Sequence, residues 1–401
     1  MPGTTRDVLR ERIQIDGDAF TPGTIPNVDT GTVLNAVTGV VNYNFGNYEV
    51  LATSAVTVAT PSPLTTASTA LVGTANTLTI AQYNVLNLDP NDADGDTDVA
   101  DGRFQLIATQ IIDSLSAPDI IALQEIQDNS GSASDGTISA SVTLQMLVDA
   151  IAAAGGPTYT WIDNPFITNN QSGGEPGGNI RVAYLYQADR VDLVANSLQT
   201  TPDAATDFAG SRPPLVATFA FAGEEYTVVN NHFSSKGGSS PLAGTTQPAI
   251  NGSAADRLVQ AQNVADYVDS LSDDANVIVL GDLNEFANEE SLVPLFDAGM
   301  TAMSLSLDLS ERYSYVFEGN GQSLDQTFIS LNLLNQVQFD IVHANTEFAH
   351  SAITASDHDP SVMAISTTPK TEATIGGITI YDKAESLEGA VPTPQASDNV
   401  V

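Results

Sequence analysis

An α/β sandwich preceded by a small β module is the fold this sequence predicts, and three observations predict it. From Thr77 onward, short apolar runs alternate with segments whose apolar residues recur at helical spacing. Some neighbouring runs are joined by only a few turn residues, so hairpins mix with strand-helix-strand units and the sheets are expected to be mixed rather than purely parallel. Before residue 75 the texture differs: β-branched and aromatic residues alternate, broken by Gly and Asn.

In chain order, residues 1–75 form the first module, with TGTVLNAVTGVVNYNFGNYEVLATSAVTV reading as short strands. The following TPSPLTTASTALVGTAN is rich in Thr, Ser, Ala and Pro without periodicity, which is linker composition and sets a boundary near Ala75. The main domain then covers 76–368. TLTIAQYNVLN is a strand, RFQLIATQIIDSL a helix and DIIALQEI a buried strand. SVTLQMLVDAIAAAG is the next helix, RVAYLYQADRVDLV returns to strand, and LVATFAFAGEEYTVVNNHF is a hairpin turning at Ala222 to Glu225. AADRLVQAQNVADYVDSL is an amphipathic helix leading into NVIVLGDLN. Beyond Ile365, STTPKTEATIGG and TPQASDNVV are linker-like, so residues 369–401 are read as a tail.

Composition narrows the class. A chain of 401 residues that is 42% apolar suits one large domain with flanking segments better than several small ones. The 49 acidic residues against 12 Lys and Arg leave a net charge of -37, a strongly solvated, self-repelling surface. Without cysteine there are no disulfides and no thiolate ligands, so any metal must be held by carboxylate, amide oxygen or imidazole, which favours hard cations. No apolar run approaches the roughly 20 residues of a membrane span, and the opening MPGTTRDVLR lacks the layout of a signal peptide. Abundant Asp with few Lys and Arg suits salty extracellular water, so a secreted bacterial protein, its signal peptide absent from this chain, is the expectation.

Polar residues able to bind metal or move protons recur at the ends of the apolar strands. Asn84 follows TIAQY, Glu125 follows DIIALQ, His232 follows TVVNN, Asp282 and Asn284 close VIVLGDLN, Asp325 opens DQTFIS, and Asp357 and His358 precede PSVMAIS. Any one of these alone is the turn or cap residue that ends most strands. His343 and His350, outside these patterns, read as ordinary surface or core histidines, and Arg257 on its helix as a solvated or salt-bridged charge.

Taken in order, NVLN, LQE, NHFSSKG, GDLNE, SLDQ and SDHDP resemble the endonuclease/exonuclease/phosphatase superfamily, over about Thr77 to Ile365, and within it are most similar to the large extracellular bacterial nucleases. The resemblance implies a four-layered α/β sandwich, two packed mixed β-sheets flanked by helices, with one open active-site cleft. It implies Glu125 as the principal ligand of one Mg²⁺ or Mn²⁺, with Asn84 and Asp357 completing the shell; oxygen ligands match such a cation. Asp282 and Asn284 would orient the attacking water and a phosphoryl oxygen. His358 would be the general base, oriented by Asp325, and His232 would contact the phosphate or protonate the leaving oxygen. A carboxylate beside an imidazole stabilises the imidazolium formed on proton abstraction. Arg181, Lys236 and Tyr184 are the substrate-contact candidates by their positions relative to the motifs. The first module resembles, faintly, an OB-like segment; Tyr43, Phe45 and Tyr48 are expected to pack in its small core, with stacking of nucleobases as the alternative.

A second cation site is suggested by PNDADGDTDVADGR, where Asp92, Asp94, Asp96, Asp98 and Asp101 crowd a Gly-containing loop. Aligning Gly95 with the glycine of an EF-hand loop puts Pro90 at the first ligand position, so that assignment fails and an irregular structural Ca²⁺ site is the expectation.

The substrate is left between classes. The leading expectation is extracellular hydrolysis of DNA, and of RNA as well in one version, leaving 5'-phosphate ends as the superfamily's nucleases do. The alternative is a phosphomonoesterase or small-phosphodiester hydrolase for phosphate scavenging, and from another class a non-catalytic binding module. Net charge -37 offers a polyanion no generic attraction, and the main domain's cations are few: Arg103, Arg181, Arg190, Arg212, Lys236, Arg257 and Arg312. No stable protein partner is implied.

Overall fold

Two six-stranded sheets carry the fold of the computed structural model, which describes residues 13–17, 25–241, 244–349 and 354–367 and the strands Glu372–Ile375 and Ile378–Tyr381. The first sheet runs Val337–Ile341, Ser361–Ser366, Thr77–Leu88, Ile120–Ile126, Arg181–Tyr186, Thr160–Ile162. The second runs Asp192–Leu193, Leu215–Phe221, Glu224–His232, Asn276–Asp282, Asp325–Ser330, Met300–Ala302.

Each sheet has a parallel pair at its centre and antiparallel pairs elsewhere. Thr77–Leu88 runs parallel to Ile120–Ile126, and Glu224–His232 parallel to Asn276–Asp282. A parallel pair needs a long crossover. The first is built by the helix Arg103–Thr109 with its π-helical continuation Gln110–Ser114, the second by the helix Ala254–Asp269. The predicted mixture is thus present: strand-helix-strand units build the parallel pair of each sheet, and Leu215–Phe221 with Glu224–His232 forms a tight hairpin in the second.

Side-chain alternation along the strands sorts the core into layers. Val228 packs between the sheets with Leu78, Ile120, Phe219 and Ile278, while its neighbour Val229 faces Val264, Val268 and Val277 under the Ala254–Asp269 helix. On the other outer side, Phe104, Ile107, Leu144 and Ile151 from helices meet Tyr83, Leu123 and Leu185. The order is helix, sheet, sheet, helix, the four layers that the resemblance implies, with each fully buried Leu, Ile or Phe worth about 1.5–3 kcal/mol.

The first module contains Gln14–Asp16, parallel to Asn47–Ala52, which pairs antiparallel with Gly39–Asn44, and a separate pair Val33–Leu34 with Val58–Thr60. It contacts the main domain through Thr30 N to Glu347 O (2.8 Å), Ala349 N to Asp29 Oδ1 (2.8 Å) and Asn47 Nδ2 to Glu318 Oε2 (3.1 Å). Its aromatics are not in a core: Phe45 is 86% exposed and Tyr48 59%, and the Tyr43 and Tyr48 rings meet edge to face at 5.1 Å. The module is too thin to cover them. The stretch read as a linker lacks regular structure but is held in place, with Thr69 N bonded to Ser114 O at 2.8 Å and Leu71 against the outer core.

Within the segment read as a linker-like tail, Glu372–Ile375 and Ile378–Tyr381 pair as a hairpin. His350 and the rest of the tail lie outside the described residues. Among the described residues no helix is long and apolar enough to cross a membrane.

Candidate active site

The carboxyl ends of the two parallel pairs face the same cleft, so the residues that follow them converge from both sheets. Register puts His232 opposite Asp282 and Asp282 opposite Asp325. In the first sheet the ladder shifts between Asn84 and Leu88 and between Leu123 and Ile126. These irregularities take Glu125, and the residues just after Asn84, out of the ladder, while Asn84 itself still pairs with Gln124. Leu86, Asn87 and Glu125 have left-handed backbone, φ 52°, 50° and 61°, a conformation that non-glycine residues hold only where surrounding contacts impose it. Those contacts are visible: Asn87 N donates to Glu125 Oε2 (3.1 Å) and Leu86 N to Asn84 Oδ1 (3.0 Å). Gly281 is required before Asp282, because a Cβ there would lie 2.0 Å from the carbonyl oxygen of Asn231.

The sheets are clasped just beneath the site. Buried Asn230 donates from Nδ2 to Leu123 O (3.1 Å) and Ala183 O (2.9 Å) and accepts at Oδ1 from Gln124 Nε2 (2.8 Å), immediately before Glu125 in sequence. Gln124 lies inside the LQE motif, but the motif assigned it no role, and Asn230 lies just before NHFSSKG.

Around the cleft floor, Asn84 Nδ2 donates to Glu125 Oε1 (3.1 Å) and Asp282 Oδ2 (3.2 Å). His232 Nε2 lies 3.4 Å from Asp282 Oδ2 and 3.8 Å from Glu125 Oε1. His358 Nδ1 lies 2.7 Å from Asp325 Oδ2, which also accepts from Ser314 Oγ (2.6 Å). His358 Nε2 faces Asp282 Oδ2 (3.9 Å) and Asp357 Oδ1 (4.0 Å). The Tyr315 ring stands 4.7 Å from the His358 imidazole. Asn284 N donates to Asp282 Oδ1 (2.9 Å) and its side chain to Phe233 O (3.2 Å). Glu125, His232, Asp282, Asn284, Asp357, His358 and Lys236 all line one cleft of ≈ 760 Å³.

Burial sets the charges. It raises Asp282 to about 7 and Glu125 above the ordinary carboxylate range, with neighbouring carboxylates adding to it. It holds His232 well below its ordinary value, helped by Arg212 and His358. For His358 burial acts downward too, but Asp325, Asp282 and Asp357 outweigh it and raise the group well above its ordinary value. A cluster of buried carboxylates that each resist ionising is a site in want of positive charge. The ligand atoms of Glu125, His232 and Asp282 lie within 4.8 Å of one another, and the two carboxylates offer the oxygens a hard divalent cation takes, while Asn84 turns its amide nitrogen to both carboxylates with Oδ1 on Leu86 N, and Asp357 comes to 4.0 Å from His358 Nε2.

Two substrate-contact candidates are corrected. Tyr184 is fully buried between the sheets, its hydroxyl 2.9 Å from both Leu215 O and Val228 O, so it is a structural cross-link. Arg181 is also buried, paired with Asp163 at 3.0 Å, and does not line the cleft. Lys236 does line it, held by Glu285 at 2.5 Å and set over the Phe286 ring. Buried Glu285 also pairs with Arg257 (2.9 Å), so Arg257 is a buried ion-pair residue rather than a solvated one. His343 is a structural histidine bonded to Asp359 (3.0 Å). Arg212, passed over in the motif reading, is buried with Nη2 on Phe233 O (2.5 Å) and its charge facing Glu125 and Asp282; nothing in its local sequence, SRPP, signals that.

The acidic loop divides. Asp92 accepts from Val99 N and Ala100 N, and Asp101 from the Thr97 hydroxyl, so both serve turns. Asp96 and Asp98 instead gather with Asp89, which was not in the expected set.

A family model described as Endonuclease/Exonuclease/phosphatase family matches residues 81–358, and a domain of unknown function, DUF8508, matches residues 3–62. No curated protein matches the chain. Among solved structures, humanized D. rerio TDP2 is 17% identical, with a TM-score of 0.48, over 73% of this chain and 99% of that one. An endonuclease/exonuclease/phosphatase family protein from Bacteroides thetaiotaomicron is 17% identical, TM-score 0.48, over 72% and 97%. The mannosyl-6-phosphatase of B. thetaiotaomicron VPI-5482 is 18% identical, TM-score 0.46, over 71% and 98%. With the family model spanning all the converging side chains, the chain belongs to the Endonuclease/Exonuclease/phosphatase family and is a metal-dependent hydrolase of phosphoester bonds.

Proposed function

We propose that this hydrolase is a nuclease that cuts DNA by in-line attack of a water molecule activated by His358. The observation that carries the reading is the line Asp325, His358, Asp282: the imidazole is oriented through Nδ1 at 2.7 Å and presents Nε2 to the cleft floor. His358 Nε2 takes the proton of the attacking water, and Asp325 stabilises the imidazolium that results. Asp282 and Asn284 orient that water and a phosphoryl oxygen. His232, held neutral by burial, suits hydrogen-bond donation to a phosphoryl oxygen better than delivery of a proton to the leaving group. Glu125, Asn84 and Asp357 would hold the divalent cation, which supplies positive charge against the phosphoryl oxygens and offsets the carboxylates that raise His358.

A polynucleotide is favoured over a small ester by where the cleft leads. It runs from the catalytic residues past Phe317 and Glu318 to Gly46, Asn47 and Tyr48 of the first module, whose aromatics are exposed. Bases stack on such rings irrespective of sequence, at roughly 1–3 kcal/mol each. The charge pattern favours the second reading, a small phosphoester: Arg103, Arg181, Arg190, Lys236 and Arg257 are all committed to carboxylates, leaving few cations for a phosphate backbone. The proposal includes an extracellular, saline setting, supported by the charge of -37 and the lack of cysteine. Salt there would screen the surface within roughly 8 Å or less.

The deciding experiment compares plasmid DNA, bis-p-nitrophenyl phosphate and p-nitrophenyl phosphate in Mg²⁺, Mn²⁺ and Ca²⁺, for wild type and His358→Ala. Metal-dependent DNA cleavage lost in the variant supports the nuclease with His358 as base. Turnover of the small esters alone moves the function to phosphate scavenging.

A further inference from the structure

We infer that Asp89, Asp94, Asp96 and Asp98 form a second divalent-cation site, suited to Ca²⁺, that ties the loop after the Asn84 strand to the loop after the Glu125 strand. The ligand atoms of Asp89, Asp96 and Asp98 lie within 4.8 Å of one another. Crowded carboxylates alone are common on an acidic protein, and two further observations set this cluster apart. Asp89 is fully buried and its Oδ2 has no hydrogen-bond partner; Asp94 Oδ1 is buried and unpartnered as well. An anionic oxygen removed from water with no donor is costly, and a cation removes the cost. Arg103 offsets only part of this charge: its guanidinium pairs with Asp98 and otherwise bonds the carbonyls of Val85, Leu86 and Ala355, with no hydrogen bond to Asp89 or Asp94.

The second observation is convergence across two loops. Gly131 has no side chain, and a Cβ there would meet Asp94 Oδ2 at 2.0 Å and Asp89 Oδ1 at 2.6 Å, so both carboxylates close on the same point. The seam is already stitched by Ser132 N to Asp94 Oδ2 (2.6 Å) and Asn91 Nδ2 to Ser130 O (2.8 Å). Ca²⁺ accepts six to eight oxygens in flexible geometry, which an irregular loop of carboxylates, carbonyls and waters can meet; Mg²⁺ demands a near-ideal octahedron. The seam begins directly beyond Leu88 and Ile126, which pair across the strands bearing Asn84 and Glu125. A cation here therefore braces the two backbone bends that aim the catalytic oxygens.

The test titrates Ca²⁺ calorimetrically into the full chain carrying Glu125→Gln, in excess Mg²⁺, so that the catalytic site contributes no heat, and follows thermal unfolding in parallel. One bound Ca²⁺ and a rise in Tm are expected. Adding Asp94→Asn should weaken binding at least tenfold and abolish the rise, and so should Asp96→Asn, an exposed position at which folding is not at stake. Absence of Ca²⁺ binding in the Glu125→Gln chain, or unchanged affinity in both added variants, would overturn the site; an equal Tm rise with Mg²⁺ alone would overturn its assignment to Ca²⁺. Because binding and Tm are read without turnover, the result stands apart from the nuclease assay.

Discussion

Asp325 holds the His358 imidazole by a 2.7 Å contact to Nδ1, and Ser314 holds Asp325 in turn at 2.6 Å. Replacing Asp325 by Asn keeps the shape but removes the negative charge that stabilises the imidazolium and fixes the tautomer. We expect kcat on bis-p-nitrophenyl phosphate to fall roughly 10²–10⁴-fold with little change in KM. Ser314→Ala should fall far less. A kcat within twofold of wild type in Asp325→Asn would remove the positioning role.

Arg212 is the buried charge facing both Glu125 and Asp282, whose carboxyls burial already raises. Arg212→Met takes away the attraction that favours their ionised forms, so both shift further upward. Glu125 must be ionised to hold metal and Asp282 to orient the attacking water; hence the acid limb of the pH-rate profile should move to higher pH, and more Mg²⁺ should be needed for half-maximal rate. An unmoved limb would count against this coupling.

Tyr184 tests the correction made to the substrate contacts. Tyr184→Phe leaves Leu215 O and Val228 O without their shared hydroxyl, at about 0.5–1.5 kcal/mol of stability. Urea unfolding should register that loss while kcat and KM stay at wild-type values. A raised KM with unchanged stability would restore Tyr184 to substrate contact.

Tyr48 lines the cleft and Phe45 precedes the cleft-lining Gly46 in sequence, and both are exposed, so their loss should not disturb folding. In Phe45→Ala with Tyr48→Ala, KM for long single-stranded DNA should rise by about tenfold or more, as expected if each ring is worth roughly 1–3 kcal/mol of stacking. Turnover of bis-p-nitrophenyl phosphate should not change. Equal effects on both substrates would exclude a base-stacking role.

Asp89 is raised to about 7, chiefly by burial, with Asp94, Asp96 and Asp98 adding to it and the amide of Asn91 opposing; Asp96 is raised to about 6, with Arg103 opposing. A carboxyl whose folded pKa exceeds its unfolded one binds more protons folded than unfolded, so stability falls as pH rises between the two values. In chelator, wild type should therefore lose Tm relative to Asp89→Asn between about pH 4 and about 7. Ca²⁺ should reverse the loss in wild type only. Parallel Tm curves in chelator would contradict the burial of Asp89 with its Oδ2 unpartnered.

Much of the fold was legible because period-2 and helical patterns are local. IIALQEI and NVIVLGD announce central strands, and the helix at Ala254–Asp269 announces its crossover. The residues that converge on the cleft were legible because each sits in a short motif beside an apolar strand run. Arg212, Tyr315, Ser314 and the Asn230–Gln124 clasp were not, since each matters through a partner far away in sequence. Tyr184 and Arg181 misled for the same reason: an apolar run does not say which of its faces meets the other sheet.

The sequence by itself determined the strands and helices, the residue types at the strand ends, and, with no cysteine, that any metal here is held by oxygen or nitrogen. Only the tertiary structure decided which of those residues meet. Glu125 and His232 come from different sheets and approach to 3.8 Å because the sheets pack face to face with their parallel pairs ending at the same cleft. Asp89, rather than Asp92 or Asp101, joins the acidic cluster because one carboxylate is turned inward and the others cap turns. Side-chain chemistry is written residue by residue, but burial, charge coupling and the direction a carboxylate faces arise from contacts between segments far apart in the chain.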